Sequence, residues 1–61
     1  MPWVTIQWFT GRDVETKKKV AELVTKAICV GCGSSPDEVS TIFQDIKMSD
    51  WTDNGKLNSE T

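Results

Sequence analysis

The fold is decided by residues 3–9, which read WVTIQWF, and by the Thr10-Gly11 pair that ends them. β-Branched and aromatic side chains dominate this stretch, which is typical of a β-strand. Successive side chains of a strand alternate between its two faces, so Trp8 and Phe9 face opposite ways. Aromatic residues therefore lie on both faces, as in a strand that is covered on both sides.

An amphipathic helix is predicted next, from about Val14 to Val30. Asp13 can cap its first turn, because a carboxylate there can accept hydrogen bonds from free backbone N–H groups. Apolar residues recur at helical spacing and define one stripe: Val20, Leu23, Val24, Ala27 and Ile28. Gly31 and Gly33 follow, and we expect them to end the helix because glycine readily adopts left-handed backbone.

A second strand is predicted from about Val39 to Ile46. The helix between the two strands is long enough for a crossover, so a right-handed parallel β-α-β unit is the preferred topology. Asn54-Gly55 is a two-residue hairpin signal. We therefore expect one α/β domain over residues 1–61, with two parallel strands, one main helix and a C-terminal hairpin, assembled into an oligomer.

Assembly is expected because so short a chain cannot bury much surface alone. A chain of 61 residues buries only about 60% of the surface that its unfolded form exposes. Two cysteines and no histidine supply neither a disulfide framework nor a one-chain zinc site. The three tryptophans and two phenylalanines therefore predict further burial between identical chains, that is, a homo-oligomer.

The charge pattern argues against several classes of partner. Nine acidic residues outweigh seven basic residues, so we expect no nucleic acid partner. No apolar stretch reaches the length of a transmembrane helix, and the N-terminus lacks the basic and apolar regions of a signal peptide. We expect a cytoplasmic protein with reduced thiols and no membrane partner.

Cys29 and Cys32 form a C-x-x-C pair at the C-terminal end of the predicted helix. Reactive cysteine pairs benefit from a helix N-terminus, whereas the helix dipole opposes a thiolate at this end. Packing of Cys29 in or near the core is therefore the preferred interpretation. We expect no metal site and no cofactor.

Pro2 is the most unusual candidate for acid–base chemistry. Removal of Met1 would leave a secondary amine at the chain terminus, where an α-amino group has a pKa of roughly 7.7–8.0. Apolar surroundings and a nearby cation such as Arg12 would both lower the pKa of that amine. Four aromatic residues could supply the apolar surroundings: Trp3, Trp8, Phe9 and Trp51. A neutral amine can take a proton from carbon beside a carbonyl group.

A set of residues stands in a characteristic order and spacing from Met1 to Gly55: Met1-Pro2, Ile6, Gly11-Arg12, Glu15, Lys17, Val24-Thr25-Lys26-Ala27, Pro36-x-x-Val39, Trp51 and Gly55. In this order the sequence resembles the 4-oxalocrotonate tautomerase family over nearly its whole length. The resemblance implies β-α-β subunits assembled most often as hexamers, with a dimer or trimer as alternatives. It also implies an isomerase that moves a proton between keto and enol forms of a small unsaturated 2-hydroxy or 2-oxo acid.

The resemblance implies a role for each matching residue. Pro2 would be the general base, and Arg12 would bind the substrate carboxylate, to which a guanidinium can donate two parallel hydrogen bonds. Trp51 stands where the family places an aromatic residue that keeps the proline's surroundings apolar. Ser40 stands where the family has a second arginine, so we expect weaker activity on 2-hydroxymuconate or a different substrate with one carboxylate.

Two alternatives stay open. Asp53 coincides with a glutamate that activates water in the related trans-3-chloroacrylic acid dehalogenase, so Pro2, Arg12 and Asp53 could support hydration or dehalogenation of small unsaturated acids. That dehalogenase has a further arginine where this chain has Phe9, and Asp53 is also an ordinary residue before an Asn-Gly turn. The other alternative is a non-catalytic binding subunit that retains only the fold.

Overall fold

The computed structural model describes residues 1–60, and its central feature is a two-stranded parallel sheet. Strand β1 spans Trp3–Phe9 and strand β2 spans Ser40–Ile46. The two strands pair residue for residue along their whole length. The predicted parallel β-α-β unit is confirmed, and β2 begins one residue later than predicted. Thr61, the last residue of the predicted domain, lies outside the described residues.

Helix α1 connects the two strands and spans Val14–Cys32. The Asp13 carboxylate accepts a hydrogen bond from the Thr16 N–H at 2.8 Å, which confirms the predicted cap. The helix continues two residues further than predicted, because Gly31 keeps helical backbone at a modest cost. Gly33 ends it in the left-handed conformation, with a φ of 72°.

The C-terminal segment forms the predicted hairpin. Strand β3 spans Thr52–Asp53 and pairs antiparallel with strand β4, which spans Lys56–Leu57. Asn54 and Gly55 have φ values of 54° and 77°, and two positive φ values in succession match the tight type I′ turn. Within residues 1–60, short 3-10 turns occupy further positions: Pro36–Glu38, Met48–Asp50 and Asn58–Glu60.

The two faces of the β1–β2 sheet differ in coverage. Helix α1 lies over the face of Val4, Ile6 and Trp8, which are half-buried. The opposite face, here named the open face, consists of alternate residues of both strands: Trp3, Thr5, Gln7, Phe9, Ser40, Ile42, Gln44 and Ile46. Trp3 remains 76% exposed and Ile42 53% exposed on this face. The open face therefore presents large apolar side chains to solvent in a single chain.

The single chain lacks a closed core. None of residues 1–60 is buried, and the chain forms a slab of 43 × 24 × 13 Å. Its radius of gyration is 14.5 Å, whereas a compact chain of this length has a radius of about 10 Å. No helix among the described residues combines the length and apolar character needed to cross a membrane.

Candidate functional site

Pro2 lies at the start of β1, next to the first residue of β2. The Ser40 N–H donates a hydrogen bond to the Pro2 carbonyl oxygen at 3.1 Å. The structure therefore brings these two predicted site residues together across the sheet. Met1 precedes Pro2 and is 84% exposed, so the bond that must be cleaved to free the proline amine lies beside an accessible side chain.

Arg12 lies two residues beyond Thr10, whose N–H forms the last hydrogen bond after β1, to the Ile46 carbonyl oxygen. The guanidinium carbon of Arg12 is 4.8 Å from the centroid of the Trp8 ring. A cation over an indole face at this distance is attracted by the electron density of the ring. Arg12 is thus held near the carboxyl end of β1 by Trp8, a side chain of that strand.

Trp8 is itself fixed by contacts on the helix-covered face. Its Nε1–H donates to Asp45 Oδ1 at 2.8 Å, and its ring stacks on Phe43 at 5.1 Å between centroids. Lys17 of α1 donates to Asp45 Oδ2 at 2.8 Å. Together with Arg12 these residues form what we call the Arg12 cluster: Trp8, Arg12, Lys17, Phe43 and Asp45.

The contacts of this cluster favour the ionised form of the Asp45 carboxylate. The hydrogen bond from Lys17 is the largest cause that lowers the pKa of Asp45, followed by the hydrogen bond from Trp8. The positive charges of Lys17 and Arg12 lower the pKa of Asp45 further. Among residues 1–60, Arg12 forms no salt bridge.

Trp51 and Asp53 are held by the hairpin. The Trp51 ring packs against Phe9 at 4.6 Å between centroids, with a tilt of 55°. The Asn58 side-chain amide donates to the Trp51 carbonyl oxygen and to Asp53 Oδ2, each at 2.9 Å. The carboxylate of Asp53 therefore has a structural partner in the turn, and Asn58 is a residue that the sequence analysis overlooked. In the sequence, only the closeness of Asn58 to the Asn54-Gly55 turn could have indicated a structural role.

The predicted site residues lie at opposite ends of the sheet. Pro2 and Ser40 are at the amino end of the strands, whereas Arg12 and Trp51 are at the carboxyl end. A rise of about 3.3 Å for each strand residue puts Trp8 about 20 Å from Pro2. A small acid is much shorter than this, so Pro2 and Arg12 of a single chain cannot contact one small acid together.

Arg12 and Trp51 also lie on different faces of the sheet. Arg12 stacks on Trp8, and Trp51 packs on Phe9. These two neighbours in β1 point to opposite faces because strand side chains alternate. Within one chain Trp8, Phe9 and Trp51 therefore do not surround Pro2, and their predicted effect on the surroundings of Pro2 in an oligomer stays a prediction.

The cysteines take no part in these groups. Cys29 is half-buried, Cys32 is exposed, and both are free thiols. The described residues contain no cluster of three or more histidine, cysteine, aspartate or glutamate side chains that could hold a metal ion. The expected cytoplasmic location stays a prediction.

Comparison with known proteins gives a consistent result. The family model of the tautomerase enzymes matches residues 2–60. A probable tautomerase of Ralstonia nicotianae is 43% identical over 60 residues, which are 98% of this chain and 92% of the relative.

Two solved structures share the fold closely. YwhB, a homologue of 4-oxalocrotonate tautomerase, superposes with a TM-score of 0.94 at 27% identity over 98% of both chains. A heterohexameric 4-oxalocrotonate tautomerase from Chloroflexus aurantiacus superposes with a TM-score of 0.91 at 27% identity, over 98% of this chain and 97% of that one.

Proposed function

We propose that this chain, which belongs to the tautomerase family, catalyses keto–enol proton transfer on a small unsaturated 2-hydroxy or 2-oxo acid. The single observation that carries this proposal is the position of the Arg12 side chain. Its guanidinium is held over Trp8 at 4.8 Å, without a salt bridge to residues 1–60. A fixed cation with free N–H donors is suited to bind the carboxylate of such an acid.

In the proposed reaction Pro2 is the general base after Met1 has been removed. The neutral secondary amine takes a proton from the enol hydroxyl or from carbon beside the carbonyl and returns it to another carbon of the conjugated system. Arg12 holds the carboxylate with two hydrogen bonds and draws electron density toward it, which stabilises the anionic intermediate. Trp51 of another chain keeps water and other polar groups away from the amine.

We further propose that the site forms between chains of a homo-oligomer, with a hexamer as the preferred assembly. The separation of about 20 Å along β1 supports this arrangement, because the base of one chain can meet the cation of another. The exposed open face and the absence of a buried residue among residues 1–60 also favour assembly. The heterohexameric relative from Chloroflexus aurantiacus is consistent with it.

The proposed substrate carries one carboxylate. Arg12 is the only arginine of the chain, and Ser40 stands beside Pro2 where a second cation would be needed for a dicarboxylate. A serine hydroxyl can donate a hydrogen bond to a carbonyl oxygen but carries no charge. Phenylpyruvate-like enols and 2-hydroxy-2,4-dienoates with one acid group are therefore the first compounds to assay.

Pro2→Ala tests the proposed base. Intact-mass measurement first establishes that Met1 is absent from both wild type and variant. We then expect ketonisation of a phenylpyruvate-like enol to lose about 10²- to 10⁴-fold in kcat, the usual contribution of a general base. Pro36→Ala is the matched control, because Pro36 is the other proline of the chain and belongs to a 3-10 turn. A processed Pro2→Ala protein with wild-type kcat would contradict the assignment.

Hydration or dehalogenation of a small unsaturated acid by Pro2, Arg12 and Asp53 is the second candidate. It draws on the exposed Asp53 carboxylate, which Asn58 orients from the same hairpin that carries Trp51. Asp53→Asn should abolish hydration of an acetylenic or haloacrylic acid while leaving ketonisation intact. An unchanged hydration rate would remove this candidate. A processed wild type without activity in either assay would instead support a non-catalytic subunit.

A further inference from the structure

The Arg12 cluster explains how a cation on an exposed loop could keep a fixed position. Arg12 follows Gly11, which has a φ of 121°, and its side chain is exposed. An unrestrained arginine loses considerable rotamer freedom when it binds a ligand. The Trp8 ring at 4.8 Å restricts the guanidinium before any substrate arrives.

A ring and a carboxylate would hold Arg12 in different ways. A carboxylate next to Arg12 would hold the guanidinium by occupying the same N–H donors that a substrate acid needs. A ring contacts the flat face of the guanidinium and leaves its edge free. Both oxygens of Asp45, the acid of this cluster, already accept hydrogen bonds, from Trp8 and from Lys17.

We propose that Trp8 is a positioning residue for Arg12 and that Asp45, neutralised by Lys17, positions Trp8. The inference rests on the proposed function, since it gives Trp8 a role through the carboxylate-binding arginine. Trp8 touches no substrate in this arrangement. It restricts the guanidinium, so that Arg12 loses less rotamer freedom when it binds a carboxylate.

Steady-state kinetics of the assembled protein test this role. Trp8→Leu should raise KM for a carboxylate enol about threefold to tenfold, the range expected for the loss of a cation–ring contact. Trp8→Phe retains a ring face and should restore most of the lost affinity. Ile6→Ala is the matched control, because it removes a half-buried apolar side chain from the same face of β1 and leaves the Arg12 cluster in place.

The double variant Trp8→Leu/Arg12→Ala separates positioning from general damage. If Trp8 acts through Arg12, Trp8→Leu adds no further increase in KM once Arg12 is absent. If Trp8 acts independently of Arg12, for example by stabilising the fold, the increases in KM of the two single variants multiply in the double variant. That result would overturn the inference.

A spectroscopic measurement gives a second readout that is independent of activity. Arg12 is the only arginine, so its Nε–H and δ-methylene NMR signals are unique. The indole face should shift the δ-methylene signals upfield in wild type, and Trp8→Phe should keep a smaller shift. Random-coil values in the wild-type oligomer would overturn the inference even if Trp8→Leu fails to fold.

The kinetic results also separate this inference from the proposed function. If Arg12→Ala raises KM and Trp8→Leu does not, the positioning role fails and the function stands. If Arg12→Ala leaves KM unchanged, Arg12 does not bind the carboxylate, and both assignments fall.

Discussion

The two ends of the β1–β2 sheet are built in different ways. At the amino end, Pro2 is joined to β2 by one backbone hydrogen bond, and the neighbouring Trp3 ring is 76% exposed. At the carboxyl end, Arg12 is held by Trp8, which in turn is held by Asp45. One chain thus holds its cation with its own side chains, whereas we propose that Pro2 obtains its surroundings from another copy.

The largest change in activity should come from mixing chains that lack Pro2 with chains that lack Arg12. Pro2→Ala and Arg12→Ala proteins are denatured, mixed in equal amounts and refolded together, and the mixture is assayed at a substrate concentration far below KM, where each variant alone has little activity. If each site takes Pro2 from one chain and Arg12 from another, about a quarter of the sites carry both residues. We expect about that fraction of wild-type ketonisation activity. No recovery in a mixed oligomer verified by native mass spectrometry would show that both residues act within one chain.

Arg12→Ala alone should raise KM for a monocarboxylate enol about 10- to 100-fold, because hydrogen bonds between charged groups are lost. Arg12→Lys keeps the charge but not the two parallel donors, so its KM should lie between those of wild type and Arg12→Ala. Lys47→Ala is the control for losing one positive charge outside the cluster. Equal KM changes in Lys47→Ala and Arg12→Ala would point to net charge rather than to a specific contact.

Ser40→Arg adds a cation to the end of the sheet that lacks one. It should lower KM for the dicarboxylate 2-hydroxymuconate about threefold to tenfold, a modest gain because nothing preorganises the new side chain. KM for a monocarboxylate enol should change little. Ser40→Ala serves as the control, since it removes the hydroxyl without adding charge. A Ser40→Arg protein with no preference for the dicarboxylate would contradict the proposed reason for substrate choice.

The smallest effect should be the pH dependence of stability at the carboxyl end. The pKa of Asp45 in the folded chain is below its usual value of 3.8. A lowered pKa stabilises the folded state above that usual value, and the contribution disappears as the pH falls through the folded pKa. Wild type should therefore have a slightly higher Tm than Asp45→Asn at pH 6, with the difference shrinking below pH 3.8.

Differential scanning fluorimetry at one protein concentration checks this prediction, because the Tm of an oligomer depends on concentration. The effect is small because Asp45 is exposed in the single chain, where water screens its partners. A Tm difference that stays constant from pH 6 to pH 2.5 would show that the charge of Asp45 does not stabilise the fold.

Local patterns predicted most of the fold, since strands, caps and tight turns depend on neighbouring residues. Residues 3–9 form β1 as predicted, and Asn54-Gly55 forms the predicted turn. The helix end was misjudged because Gly31 is compatible with helical backbone when Gly33 supplies the left-handed residue. A single glycine is a weak stop signal, because its helical cost is modest.

The candidate site was less predictable, because its geometry depends on residues far apart in the chain. Trp8 and Asp45 are 37 residues apart and meet only because the parallel register pairs them. The sequence pattern placed Trp8 near an apolar strand face, but it could not show whether that ring served Pro2 or Arg12. Within one chain the rise along β1 carries Trp8 about 20 Å away from Pro2, and Trp8 contacts Arg12 instead.

The order of residues by itself determined the β-α-β unit, the hairpin, the proline directly after Met1 and the single arginine. These features follow from local backbone preferences and side-chain periodicity, which act over a few residues. Only the tertiary structure decided that Arg12 stacks on Trp8, that Asp45 is already paired, and that Pro2 lies at the other end of the sheet. Strand register and side-chain packing set those distances, and neither can be inferred from neighbouring residues alone.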